Sequence, residues 1–381
     1  MRRAIWLLLV FPACAATWTD RSEYDLALTV RSEALPKKRL ELLEQWKTRY
    51  PKSDYRQMRR ELTLSAYQSL GDSRGMLVAA REMLSDDPGN LTGLYWAAVL
   101  VPAGKDNSPD TLSLGERSAK KLLASPRPET DLLAHRAMGW IHWQRGEHVA
   151  AAEEFSTYLK REPNSAEISS WLGMVLALQK EQQPAALWHL ARAASLTGDG
   201  VLSETQLRQV NNLLERLYTS YHGDADGLEQ LRASAVKSVF PAADFNIESA
   251  AVIAARKQEE ELRRTNPELA AWLDLRKQLD SADGEKYFAE KLRDTPLPKL
   301  KGAVIRFAPA HRPQEIVLAL RDSVSEEVLL KLTSPFPNGP EPDTVLEFEG
   351  TATAFSATPF ILTVTANREK VEGWPNPRPH H

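Results

Sequence analysis

One cysteine, Cys14, occurs in 381 residues, so the chain has no internal disulfide framework and no cysteine-rich metal site. Positive charge is not in excess either. Lys and Arg number 48 against 51 Asp and Glu, a formal net charge of −3. A nucleic-acid binder faces phosphates with surplus cations, so nucleic acid is not expected as a partner. No Gly-rich phosphate loop follows a strand, and no GxSxG or HExxH string occurs. Beyond the N-terminus no apolar run is long enough to span a bilayer as a helix. With 43% hydrophobic and 26% charged residues, the composition is still that of a folded protein.

The N-terminal apolar run is short. In MRRAIWLLLVFPACAAT, Arg2 and Arg3 precede an apolar stretch from Ala4 to Phe11, and Ala13-Cys14-Ala15 forms a small-residue cleavage site. This predicts an export signal over 1–16 and a periplasmic or secreted protein. A lipoprotein anchored through Cys14 is the alternative. It ranks second because Phe11 and Pro12 stand where such signals usually carry Leu.

Helix-forming residues dominate as far as Leu292, and within them the sequence repeats itself. MGWIHWQRGEHVAAAEEFSTYLKREPNS starts at Met138, and LGMVLALQKEQQPAALWHLARAASLTG starts at Leu172. Gly139 and Gly173 correspond, as do Ala151 and Ala185. Tyr67, Gly71 and Pro88 fit the same frame further upstream, and Leu43, Trp46 and Pro51 end a still earlier copy. The interval is about 34 residues, and the pattern over 20–241 resembles the tetratricopeptide repeat of paired helices. Gly104 to Pro109 reads as an insertion in the third copy.

The resemblance implies an α-solenoid in which the first helix of each pair builds the inner wall. It implies packing roles for Gly139, Phe155 and Gly173 where helices cross, and for Pro163 as a stop after a second helix. Carried onto this chain, the family's peptide-contact positions fall on Arg136, Trp140, Trp143 and Gln144 in the fourth copy. They fall on Tyr95 and Val99 in the third, and on Ser170 and Met174 in the fifth. The family's basic carboxylate clamp is missing, since Ser65, Gln68 and Ser69 occupy the comparable places. His135, His142 and His148 lie close in sequence, but His135 and His142 fall at helix-packing positions, so no metal site is expected.

From 242 to 298 the chain reads as a charged helical connector, with opposite charges four apart such as Glu259 and Arg263. After Gly302 the period changes to two. AVIRFA, EIVLALR, EVLLKLT, TVLEFEGTATAF and FILTVTA are five strand candidates, and turn residues separate them. They predict a small OB-like β-barrel over 299–374. Similar C-terminal segments occur on exported bacterial tetratricopeptide proteins. The Pro-rich 375–381 is expected to be a disordered tail.

The sequence therefore predicts an α+β multidomain chain: an α-solenoid of tetratricopeptide-like helix pairs, then a small C-terminal OB-like barrel. Its expected function is non-catalytic. It would be an interaction scaffold in the cell envelope, with protein or peptide partners on the inner wall and no cofactor. The alternative centres on the barrel as a module binding an oligosaccharide or nucleic acid.

Overall fold

The computed structural model describes residues 18–104, 106–125, 127–341 and 344–375. The export signal over 1–16, Cys14, and all but Pro375 of the 375–381 tail lie outside these residues. The chain divides after Ser249 into two compact units.

The first unit is helical. Its described helices are α1 (Arg21–Ser32), α2 (Pro36–Arg49), α3 (Arg56–Leu70), α4 (Ser73–Asp86), α5 (Leu91–Gly104) and α6 (Pro109–Ala124). They continue with α7 (Pro128–Gln144), α8 (His148–Arg161), α9 (Ala166–Ala177), α10 (Gln183–Ser195), α11 (Glu204–His222) and α12 (Leu228–Ala235). Their ends follow from local chemistry. Asp20, Asp72 and Ser165 accept backbone N–H groups of the first turns of α1, α4 and α9. Ser203 and Gln206 form a capping box on α11. Pro36, Pro109 and Pro128 open α2, α6 and α7, where the missing N–H would have had no partner in any case. Pro51, Pro88 and Pro163 follow the ends of α2, α4 and α8, where proline cannot prolong the helix.

Successive helices pair and stack, each burying a stripe that it cannot bury alone. Close backbone approach sets the spacing. A Cβ on Gly139 of α7 would lie 2.5 Å from the Phe155 ring of α8, and one on Gly173 of α9 would lie 2.7 Å from Leu190 of α10. Phe155 and Leu190 are both fully buried. The sixth pair differs from the others, because α11 and α12 both pack on α10. Arg192 of α10, itself buried, secures this end of the stack. It donates to the carbonyls of Ala235, Val236 and Ser238 past α12, and to that of Pro163. The guanidinium thus satisfies C-terminal acceptors of α12, and four carbonyls share the buried charge. Burial holds the Arg192 guanidinium below its usual pKa.

His189, one turn before Arg192, is also buried, and its ring meets that of Phe240 edge-on at 5.6 Å. Burial, helped by the nearby Arg192, pushes its pKa down to about 3. The unfolded chain would bind a proton near the ordinary value of about 6.5, while the folded chain would not. Stability is therefore flat above that value and falls as the pH drops through it. Unfolding free energy is expected to fall by roughly 2 kcal/mol between about pH 6.5 and 5 through this residue alone. Urea melts of the protein beside His189→Leu measure it. Parallel pH profiles for the two proteins would refute a neutral buried His189.

The second unit opens with α13 (Ala250–Thr265), α14 (Pro267–Leu279) and α15 (Gly284–Tyr287). Seven strands follow: β1 (Leu300–Ala308), β2 (Glu315–Ala319), β3 (Val328–Leu332), β4 (Val345–Phe348), β5 (Thr351–Ala357), β6 (Phe360–Ala366) and β7 (Val371–Glu372). They form one sheet in the order β5-β6-β3-β2-β1-β4-β7. All neighbours are antiparallel except β3 and β6, which are parallel.

The fourth strand candidate is in fact two strands. Only Glu349 and Gly350 separate β4, paired with β1, from β5, paired with β6. This near-continuous segment carries the chain from β4, beside β1, to β5 at the opposite edge of the sheet. Residues before β1 extend the seam, with Leu297 N–H donating to Gly350 and Asp294 N–H to Ala352, both at 2.8 Å. A Cβ on Gly350 would lie 2.6 Å from Val364, so the bend needs a residue without one. Seven strands thus replace the five expected from the sequence.

From Ala250 on, the segment expected as a connector belongs to this unit. Trp272, Leu279, Phe288, Leu292 and Leu297 share one apolar core with Ile316, Leu318, Leu330, Leu346 and Val364 of the sheet. Helix α13 has no buried residue, and there Arg263 pairs with Glu259 at 2.7 Å.

One buried carboxylate joins helix to sheet. Glu327, with no exposed side-chain surface, accepts from Arg276 of α14 and from the Arg321 guanidinium, each at 2.5 Å. It also accepts from the Leu320 and Arg321 N–H groups at 2.9 and 3.0 Å. Arg276 in turn lies 4.0 Å above the Phe360 ring. Removing the carboxylate leaves charge and donors without a partner. Glu327→Ala is expected to cost roughly 3–5 kcal/mol in a denaturant melt, the range for breaking a buried pair. Lys331→Ala on the exposed face should cost under about 1 kcal/mol. Comparable losses for the two would show that Glu327 is not a buried anchor.

The spacing of α7 and α8 gives a further check. Gly139→Val overpacks the contact with Phe155 and is expected to cost roughly 1–3 kcal/mol. In a Phe155→Leu background the added methyl groups have room, so the loss should shrink. An equal loss in both backgrounds would mean that the two positions do not meet.

Candidate functional site

α5, α7 and α9 are the first helices of the third, fourth and fifth pairs, and side chains link them laterally. Asn107, just past α5, donates to Gln144 Oε1 at 2.6 Å. Arg136 of α7 reaches Glu167 of α9 through Nε at 3.1 Å and Nη2 at 3.3 Å. The three helices form a wall whose half-buried stripes recur at helical spacing. On α9 the stripe is Glu167, Trp171, Met174 and, beyond its end, exposed Leu178. On α7 it includes Arg136, Trp143 and Gln144, and on α5 Tyr95, Trp96 and Val99.

Arg136 occupies the most ordered position. Its guanidinium holds Glu167 by two parallel donors and stands 4.9 Å above the Trp171 ring. A planar fork on an aromatic face is a geometry that Lys cannot reproduce. Trp171 itself leans on Phe155, with ring centroids 5.7 Å apart.

The wall is nearly free of charge. α5 contains no charged residue, and Glu167 is the sole one in α9. That Glu is paired, so the central wall presents aromatic and thioether surface around a closed ion pair.

Two expected contact residues are misplaced. Trp140 does not face the wall. It is 6% exposed and sits in the core with Ile141, Phe155 and Leu172. α7 is packed by neighbours on several sides, so a frame borrowed from one exposed stripe lands one residue position inside. Ser170 is likewise buried, donating to the Glu167 carbonyl. Trp96, Glu167 and Trp171 were not among the expected contact residues. The spacing Glu167, Trp171, Met174, Leu178 would have placed Glu167 and Trp171 beside Met174, since four- and three-residue steps keep one helix face.

The histidines do not converge. His135 Nδ1 meets Glu154 at 2.6 Å, and Nε2 lies 3.8 Å from Asp131, which also pairs with Arg161. His142 bonds Glu147 at the other end of α7. Among the described residues no group of three or more His, Cys, Asp or Glu side chains is placed to hold a metal ion. Among the same residues no helix is long and apolar enough to cross a membrane.

No family model matches the chain. No curated protein matches it either. Among solved structures it is similar to a thermophilic TPR protein of Thermus thermophilus, at 17% identity and a TM-score of 0.32. That match covers 51% of this chain and 97% of the other.

Proposed function

We propose that the chain is a non-catalytic protein-interaction scaffold of the cell envelope, binding a partner protein or peptide along α5, α7 and α9. The observation that carries this reading is the half-buried aromatic wall built around Arg136. Trp, Tyr and Arg dominate binding energy at interfaces, above all where neighbouring contacts exclude water. Here Trp143 and Tyr95 share the wall with an arginine already fixed by Glu167 and Trp171, so ordering that arginine on binding would cost little side-chain entropy. The envelope location rests on the export signal read over 1–16.

The second unit's pairing order, a β1–β2–β3 meander joined in parallel to β6, supports an OB-like barrel. Its cavity favours the scaffold reading over a ligand module. That cavity measures about 200 Å³ beside Asn266, Lys301 and Arg321, small for a ligand pocket, which usually spans roughly 300–1,000 Å³. Its cations are already engaged, Lys301 by Glu347 and Arg321 by Glu327.

Crosslinking of the full chain in native envelope extract tests the reading. Arg136→Ala/Trp143→Ala, checked for folding by circular dichroism, is expected to lose the crosslinked partner about tenfold or more, the equivalent of about 1.4 kcal/mol or above. Lys301→Glu/Lys331→Glu on the second unit should retain it. The reverse pattern would move the function to the barrel, and absence of a partner in every lane would overturn the scaffold.

A further inference from the structure

Resting on that reading, we infer that the occupant of the wall is an extended, uncharged, proline-rich segment rather than an acidic tail. The argument is one of hydrogen-bond inventory. Among the described residues Arg136 Nη1 has no partner, because Nε and Nη2 are engaged by Glu167. Gln144 accepts through Oε1, which leaves its Nε2 donors without a partner. The indole N–H groups of Trp96, Trp143 and Trp171 have no protein acceptor among the same residues, and none belongs to the buried orphans of the fold. The carboxylate and amide acceptors of the wall are engaged instead, both Glu167 oxygens by Arg136 and Gln144 Oε1 by Asn107, which leaves the Tyr95 hydroxyl, itself also a donor, as an acceptor.

The wall therefore offers donors and aromatic faces with few free acceptors. An ordinary peptide brings one N–H for every carbonyl, and its donors would lose water here without gaining a partner. Proline brings carbonyls and no N–H. A proline-rich segment is also held in the polyproline II conformation, and it docks on aromatic-lined grooves at low entropic cost. Charge points the same way. An acidic residue would meet Glu167 and no unpaired cation on α5 or α9.

The test uses the full-length protein and end-blocked fluorescent peptides of equal length: a Pro-Pro-Leu repeat, an Ala-Ala-Leu repeat, and an Asp/Glu-rich repeat. Anisotropy is read at low and high salt. The Pro-Pro-Leu peptide should bind about tenfold more tightly than the Ala-Ala-Leu peptide, with little change on adding salt. Gln144→Leu and Arg136→Met, which keep bulk but remove donors, should each weaken it several-fold.

Equal binding of the two neutral peptides, both lost in Trp143→Ala, would overturn the proline preference and leave the wall as the docking surface. Preference for the acidic peptide, declining with salt, would also overturn it. Binding of the proline peptide that persists undiminished in Trp143→Ala would place its site elsewhere and overturn the inference. No binding by any peptide would overturn the inference too, and the envelope crosslinking then decides the scaffold reading separately.

Discussion

The contact of the Phe155 ring with the backbone of Gly139 sets the distance between α7 and α8, and the wall depends on that distance. Phe155 fits only because position 139 has no Cβ. Its other edge meets Trp171 of α9. Trp171 supports the guanidinium of Arg136, and Arg136 returns to α7 while holding Glu167 of α9. Four side chains and one bare backbone thus close a circuit through three helices. Displacing α8 by the width of a methyl group would tilt Trp171 and release the arginine. On the proposed reading, packing and recognition would be the same contacts seen from two sides.

Each unit also holds a buried charge, Arg192 in the first and Glu327 in the second, and these two are satisfied differently. Arg192 is surrounded by carbonyls at the ends of helices, which need donors in any case. Glu327 takes two guanidiniums and two backbone amides. Neither arrangement adds much stability over a well-packed apolar substitute, since desolvation offsets the attraction. What both provide is directional: Arg192 fixes where the segment after α12 turns, and Glu327 fixes the rotation of α14 over the sheet.

The repeat was legible because it is written in residues with hard steric meanings. Gly139 and Gly173 mark close approach, while Pro51, Pro88 and Pro163 mark helix ends. Burial on the first helices was not legible to the same degree. α5, α7 and α9 are packed on several sides, so the apolar pattern of α7 does not say which of Trp140 and Trp143 is inside. In the second unit, continuing the alternation of β3 back to Glu327 sends it outward with Leu329 and Lys331, and its long-range partner Arg276, 51 positions earlier, could not be read from the local pattern. Trp272 and Leu279, seven apart, lie on one helical stripe. That the stripe packs into the core under the sheet depends on strands formed later in the chain.

Selectivity of the wall follows from what it withholds as much as from what it offers. A scaffold that recognised acidic tails would keep cations unpaired. This one closes its central cation with Glu167 and keeps α5 free of charge. An acidic segment brought onto the wall would give up hydration, face a carboxylate and gain no countercharge, which is rejection built from desolvation and like charge. A neutral segment gives up little. On the proposed reading, the half-buried aromatic faces would supply the favourable term for it and the spare donors would set its direction along the wall, so affinity and discrimination would arise from different atoms of the same few residues.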